Sequence, residues 1–119
     1  MSIDMNMINY LQAGIKAESA RQSAIANNMA NMQTDGYRKF DVKFAEAFAR
    51  AVEDGSDFDP QEMEAEFFQP KSGPINEFGN DVNLHAEVGE MVKNSLRHKA
   101  FVRILKKTYD QYDLAIQTP

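Results

Sequence analysis

The chain of 119 residues contains no cysteine and no tryptophan. Without cysteine, disulfides, thiolate metal sites, iron–sulfur clusters and cysteine nucleophiles are excluded. No apolar run approaches the roughly 18 residues that a membrane-spanning helix needs. The start, Met1-Ser2-Ile3-Asp4, lacks the basic and apolar regions of a cleaved secretory signal. We therefore expect that any export from the cytoplasm uses another route.

Positive charge is also scarce. There are 13 Lys and Arg residues against 18 Asp and Glu residues, which gives a net charge of −5. General nucleic-acid binders and proteins that bind anionic membranes carry a basic excess instead. The length suffices for one domain at most. We expect neither nucleic-acid binding nor membrane insertion.

Glycine and proline divide the chain into three parts. Residues 1–32 and 84–118 each contain one glycine and no proline, whereas residues 33–83 contain four glycines and three prolines. Proline costs about 3 kcal/mol in a helix interior. We therefore predict an N-terminal helix within 1–32, a central loop segment over 33–83 and a C-terminal helix within 84–119.

Both predicted helices carry an apolar stripe with a period of 3.5 residues, which is the seam of a coiled coil. The N-terminal stripe is interrupted by Glu18 and Gln22, and the C-terminal stripe by Ser95 and His98. The N-terminal seam consists of Ile8, Leu11, Ile15, Ile25, Met29 and Met32. The C-terminal seam consists of Val88, Met91, Val102, Leu105, Tyr109, Tyr112 and Ile116.

These patterns predict an all-α fold, with the two long helices paired as a coiled-coil hairpin around a partly irregular central segment. Within that segment, the alternation of Phe40, Val42 and Phe44 is compatible with a short strand. The helical spacing of Phe44, Phe48 and Val52 favours a short helix over about 42–53 instead. An acidic, turn-rich stretch follows over 53–66.

A second apolar strip on the last helix lies outside the predicted seam, at Leu96, Phe101 and Ile104. Exposed on an isolated hairpin, such a strip would favour aggregation. Either a partner surface covers it or the central segment folds back over it. The pattern does not separate these alternatives.

No catalytic, cofactor or metal site is predicted. His85 and His98 stand thirteen residues apart without the convergent ligands that zinc needs, so we interpret them as a surface and a seam residue. The acidic stretch lacks the order of a calcium loop. The basic stretch 93–107 is interpreted as a solvated outer face or as a partner for the acidic loop of a neighbouring subunit. We therefore do not expect an enzyme.

One segment resembles a known family. The run Ala24–Tyr37 is similar to the N-terminal signature of the flagellar rod, hook and hook-associated axial proteins, approximately A-N-N-(L/M)-A-N-x-x-T-x-G-Y. Gln33 departs from the small residue or asparagine that is usual there. The matching residues are Asn27, Asn28, Asn31, Thr34, Gly36 and Tyr37.

A second segment, residues 79–88, resembles the stretch G-N-x-V-(D/N)-L-x-x-E-M that precedes the last helix in proximal-rod members of this family. His85 replaces a more usual acid. The matching residues are Gly79, Asn80, Val82, Leu84 and Glu87.

The resemblance implies a structural subunit of the proximal rod, part of the axial shaft that transmits torque and encloses the export channel. The implied partners are copies of the chain, other rod proteins, the membrane-ring protein, the rod adaptor and the flagellar type III export apparatus. The implied location is the periplasmic rod of the basal body, reached without a cleaved signal. A cytosolic helical adaptor or chaperone-like module is the alternative.

Overall fold

A computed structural model of the protein describes residues 5–44 and 59–117. Two long helices, α1 (Met5–Ala30) and α2 (Leu84–Gln117), account for most of these residues. Two short strands, β1 (Asp41–Phe44) and β2 (Ala65–Phe68), and a 3-10 turn at Pro60–Glu62 lie between the helices. The molecule is elongated, with extents of 68 × 25 × 18 Å. The prediction of two long helices, one in each terminal segment, is confirmed.

The two helices lie side by side and run antiparallel. Near one end of the pair, Asn28 of α1 contacts Glu87 of α2, and further along Glu18 contacts Asn94. Gly14 then faces the ring of Phe101. The α1 numbers fall as the α2 numbers rise, which defines the direction of pairing. Because α2 has 34 residues and α1 has 26, the turns at 111–117 extend beyond these contacts, and all seven residues are exposed.

The face of α2 that meets α1 differs from the predicted seam. Val88, Val102, Tyr109, Tyr112 and Ile116 are all at least 40% exposed. Glu87, Asn94 and Phe101 lie inward instead, together with the half-buried seam residues Met91, His98 and Leu105. One residue corresponds to about 100° of helix rotation, so half of the predicted seam belongs one position earlier. Apolar periodicity does not mark this face, because three of its inner positions, Glu87, Asn94 and His98, are polar.

On α1 the predicted seam agrees better with the packed face. Ile8, Leu11 and Ile25 are buried, Ile15 and Met29 are half-buried, and Met32 is exposed. Small residues complete the packed surface, because Ala13, Ala17 and Ala24 are buried as well. Glu18, an interruption of the apolar stripe, is 2% exposed. At the contact with α2, the polar Glu18 and the small Gly14 contribute alongside the apolar residues.

The expectation of an all-α chain is corrected by a small antiparallel sheet. Val42 pairs with Phe67 and Lys43 with Glu66, and the Lys43 ammonium lies 3.8 Å from the Glu66 carboxylate. The alternation at Phe40, Val42 and Phe44 therefore marks a strand, and the preferred helix over 42–53 is wrong for residues 42–44. The rest of that predicted helix lies outside the described residues.

The sheet and the 3-10 turn cover a second side of α1. Met63 packs with Ala13 and Ala17, and Phe44 packs against this cluster. The Lys16 ammonium donates to the Pro60 carbonyl oxygen at 3.3 Å. The described end of the acidic stretch thus forms a turn and a strand against α1. The small side chains of Ala13 and Ala17 allow the segment around Met63 to lie close to α1.

Gly14 offers a test of the helix packing. An alanine Cβ at this position would lie 2.8 Å from Cζ of Phe101, which is too close for an ordinary contact. Glycine to alanine usually stabilises a helix interior by about 1 kcal/mol. Here we expect Gly14→Ala to lower the free energy of unfolding by about 1–2 kcal/mol, because the ring must move.

The control is the same change in a Phe101→Ala background, where Gly14→Ala should raise stability by up to about 1 kcal/mol. Denaturant unfolding of the four proteins measures both effects. Equal effects of Gly14→Ala in the two backgrounds would contradict the contact.

Candidate functional site: the motif junction

The two sequence motifs, separated by some forty residues, meet at one end of the helix pair. We call this region the motif junction and define it as residues 27–40 together with residues 76–87. Asn80 makes the first connection: its side-chain amide donates to the carbonyl oxygens of Asn31 and Thr34, each at 2.9 Å. These carbonyls lie in the turns that follow α1, where they also accept from the backbone amides of Thr34 and Tyr37. The second motif therefore fixes the turns through which the chain leaves α1.

The two motif glycines face each other. Gly36 has a φ of 74° and Gly79 a φ of 76°, values that side chains with a Cβ rarely adopt. A Cβ on Gly79 would lie 3.6 Å from the Cα of Gly36. The Gly36 amide donates to the Phe78 carbonyl oxygen at 2.8 Å, which joins the two turns. Glycine is thus required at both positions by backbone conformation.

Asn76 shapes the second turn, and the motif analysis missed it. Its side-chain oxygen accepts from the amides of Phe78 and Asn80, at 2.9 and 3.0 Å. The backbone amide of Asn76 donates to the Asn80 carbonyl oxygen at 2.9 Å. Asparagine commonly forms such local turns, so its place shortly before Gly79 was an available indication.

Asp81 fixes the segment that leaves the first motif. Its carboxylate accepts from the Lys39 amide at 2.6 Å and from the Arg38 guanidinium at 3.0 Å. Burial alone would raise the pKa of Asp81, but these bonds to the charged form outweigh it and lower the pKa. The ionised carboxylate is therefore the form that the fold favours. Asp81 was absent from the predicted site residues.

Asn28 is the central residue of the motif junction. It is 2% exposed, and its side-chain oxygen accepts from the Tyr37 hydroxyl at 2.9 Å and the Phe40 amide at 2.8 Å. Its amide donates to the Phe40 carbonyl oxygen at 2.9 Å and to the Glu87 carboxylate at 3.3 Å. A single side chain therefore joins α1, the segment before β1, and α2.

Glu87 is a buried carboxylate at the first turn of α2. Burial raises its pKa, an effect that the hydrogen bond from Asn28 reduces without cancelling. Burial also raises the pKa of the Tyr37 hydroxyl, and the carboxylates of Glu87 and Asp81 raise it further. The two buried acids of the motif junction thus have opposite pKa shifts. Asp81 accepts directly from Arg38 and Lys39, whereas desolvation is the main influence on Glu87.

A second polar cluster joins the middle of the two helices. The Glu18 carboxylate accepts from Arg21 at 2.6 Å, from Arg97 at 2.8 Å and from Asn94 at 2.8 Å. The Asn94 amide also donates to the Glu18 carbonyl oxygen at 2.6 Å. The expectation that Arg97 lies on a solvated outer face is therefore corrected. The sequence held an indication of this cluster, since the charged Glu18 interrupts the apolar stripe of α1.

The remaining predicted residues occupy more peripheral places. The Asn31 amide donates to the Asn27 carbonyl oxygen, and the Thr34 hydroxyl donates to the Asn31 side chain. The Val82 amide donates to the Asn80 side chain, while Leu84 is exposed. Leu96 and Ile104 are 64% and 46% exposed. Phe101 instead packs on Gly14 within the same chain, which corrects its assignment to the outer strip.

The chemistry of the motif junction is internal. Over residues 5–44 and 59–117, every buried side-chain nitrogen and oxygen has a hydrogen-bond partner. The same ranges contain no group of three or more histidines or acids that could hold a metal ion. No helix within them has the length and apolar content to cross a membrane. Side chains whose polar atoms are all engaged with the fold hold backbone in place, so the arrangement defines a structural element, an elongated and tightly connected helix pair.

The comparison with protein families agrees with this class. Residues 8–38, about a quarter of the chain, match the family described as flagella basal body rod protein. This match confirms the resemblance to rod proteins, and it supports a structural role in the flagellar basal body. No curated protein matches the chain significantly. The matched range contains α1 from Ile8 onward and the first motif.

Asn28 and its neighbour Asn27 provide a matched test of the motif junction. Asn28→Ala removes partners from Tyr37, Phe40 and Glu87, so we expect a loss of about 2–4 kcal/mol in the free energy of unfolding. Asn27→Ala removes an exposed amide from the same helix and should change stability by less than about 0.5 kcal/mol. Thermal and denaturant unfolding measure both. Similar losses for the two variants would contradict the central role of Asn28.

The opposite pKa shifts of Asp81 and Glu87 predict opposite pH dependences. Because the pKa of Asp81 is lowered on folding, its stabilisation is present above its ordinary pKa of about 3.9 and is lost as the pH falls through the folded value. We expect Asp81→Asn to cost about 1–3 kcal/mol at pH 7 and little in strong acid.

Because the pKa of Glu87 is raised, its carboxyl favours the folded state while protonated, and this contribution disappears as the pH rises through the folded pKa. Glu87→Gln should therefore leave stability at pH 7 unchanged or higher, with any gain fading toward acid pH. Denaturant unfolding over a pH series measures both variants. Parallel pH profiles for Asp81→Asn and Glu87→Gln would contradict the assignment.

Proposed function

We propose that the chain is a subunit of the proximal rod, of the FlgB type. In this role it joins copies of itself and other rod proteins in the axial shaft that transmits torque and encloses the export channel. The second motif, Gly79–Glu87, supports this assignment, because its contacts with the first motif give both a shared structural purpose. Only some forty residues separate the first motif from the second, which leaves no room for a large domain inserted between them.

The observation that carries the proposal is the apolar surface left uncovered on α2. Val92, Leu96 and Ile104 are 54%, 64% and 46% exposed on a helix whose other side already contacts α1. Large apolar side chains grouped on one element indicate contact with another protein. In a rod, neighbouring subunits would cover Leu96 and Ile104.

The further partners follow from the same role. We propose that the base of the rod contacts the membrane-ring protein and the rod adaptor. Delivery would use the flagellar type III export apparatus without a cleaved signal, and the location would be the periplasmic part of the basal body. The alternative, a cytosolic helical adaptor, would use the same apolar surface for a soluble partner. Location separates the two, since only a rod subunit should be recovered in purified basal bodies.

Leu96→Asp and Ile104→Asp test the apolar surface in cells. Each places a charge where the proposal puts a neighbouring subunit, so we expect strongly reduced motility and reduced recovery of the protein in basal bodies. Ser95→Asp is the matched control, because it adds the same charge at an adjacent exposed position that faces another side of α2. Wild-type motility in both apolar variants would count against these contacts.

A further inference from the structure

A cleft of about 310 Å³ opens beside the motif junction, between the first turns of α2, the second half of α1 and β1. Its apolar walls include Ile25, Val42 and Ala86. Three carboxylates line it, those of Asp41, Glu87 and Glu90, against the two cations Arg21 and Lys39. The guanidinium of Arg21 is already bound to the buried Glu18 carboxylate, and the Glu90 carboxylate lies 3.6 Å from the Lys93 ammonium in an exposed and therefore weak ion pair. Asp41 and Glu87 then face Lys39 as the remaining charges of the lining. The cleft therefore has a net acidic lining over apolar walls.

A cationic ridge lies on the same helix, further toward its C-terminus. It consists of Lys99, Arg103, Lys106 and Lys107, which are all exposed. Lys99, Arg103 and Lys106 follow at intervals of four and three residues, and Lys107 lies four residues after Arg103, so all four lie along one side of α2. None of the four has a carboxylate within ion-pair distance in the part of the chain that the structure describes. These four charges are therefore unneutralised within the described chain.

The cleft and the ridge cannot meet within one molecule. Glu90 and Arg103 stand thirteen residues apart on a continuous helix, which corresponds to about 20 Å along its axis. An arginine side chain carries an aliphatic stem and a cationic head, so it suits a cleft with apolar walls and carboxylates. Among the described residues neither patch meets its complement, whereas a second copy of the chain offers both.

We propose that the acidic cleft of one copy of this chain receives the cationic ridge of a second copy, with Arg103 entering beside Glu90 and Glu87. Two different patches meet in such a contact, so each copy keeps one unused cleft and one unused ridge, and the contact can repeat. Successive copies are then displaced by about 20 Å along α2, the distance between the two patches. Leu96 lies two turns before Arg103 on the same side and is partly covered in the same contact. The pairing rests on the proposed rod role, since it names the surfaces through which copies would join.

Charge exchange tests the pairing in solution. Arg103→Glu alone and Glu90→Arg alone should each weaken self-association of the full chain roughly tenfold, while the combined variant should regain most of it. Lys71→Glu, an exposed change of the same size outside both patches, should have no effect. Sedimentation velocity over a concentration series, repeated up to about 0.5 M salt, measures association, which should weaken as salt screens the charges. Absence of self-association, or a double variant no better than the single ones, would overturn the proposal.

Cysteine cross-linking gives a second measure that does not depend on affinity. The chain has no cysteine, so Glu90→Cys and Arg103→Cys introduce unique thiols. A disulfide needs Cα atoms within about 7 Å, so a bond between these positions can form only between molecules. Mixing the two variants under mild oxidation should yield mainly the mixed dimer. Predominance of dimers of one variant with itself would overturn the pairing of unlike patches.

The same thiols in cells separate this proposal from the rod role. If the chain is recovered in basal bodies without the mixed disulfide, the rod role stands and the pairing is wrong. If the mixed disulfide forms in purified protein but the chain is absent from basal bodies, the pairing stands and the rod role is wrong. Recovery of the disulfide in basal bodies supports both.

Discussion

The buried side chain of Asn28 connects α1, α2 and the segment that enters the sheet. It lies on α1, exchanges two hydrogen bonds with the backbone of Phe40, and reaches α2 through Glu87. Phe40 directly precedes β1, so this one amide helps to fix the position of the sheet relative to both helices. A hydrophobic residue of similar size could fill the volume but could not satisfy the donors and acceptors around it. An unsatisfied buried polar group costs about 1–3 kcal/mol, which explains why an asparagine stands at this place in a helix.

The contact between the helices is polar in its middle as well as at its end. Glu18 is surrounded by Arg21, Arg97 and Asn94, so its charge is compensated despite burial. Buried ion pairs contribute little net stability, because desolvation offsets much of the attraction, but the loss of one partner costs about 3–5 kcal/mol. The cluster therefore acts mainly on register: it permits one alignment of α1 and α2 and penalises the others. Gly14 adds close packing against Phe101 rather than large apolar area.

The limits of the sequence prediction follow from this chemistry. The long helices were predictable because glycine and proline are concentrated between them, and the two motifs identified the residues that meet at the junction. The inner face of α2 was not predictable, because apolar periodicity favours Val88 and Val102 over Glu87 and Phe101. The short strand at Asp41–Phe44 was masked by an alanine-rich stretch that follows it in sequence. That Asn80 binds the turns after α1 depends on a contact between distant residues, which no local pattern reports.

The polar contacts also explain why apolar residues remain outside on α2. A rotation of α2 by one residue would bring Val88 and Val102 toward α1, and each is already more than half covered. Burying a whole valine is worth about 1.5–3 kcal/mol, so completing the burial of these two gains at most a few kcal/mol. The same rotation would withdraw Glu87 from Asn28 and Asn94 from Glu18, leaving buried polar and charged groups without partners. That penalty is about 1–3 kcal/mol for the amide and larger for the charged group, so it exceeds the gain. The helix pair is therefore held in a register that leaves Val92, Leu96 and Ile104 exposed in the part of the chain that the structure describes.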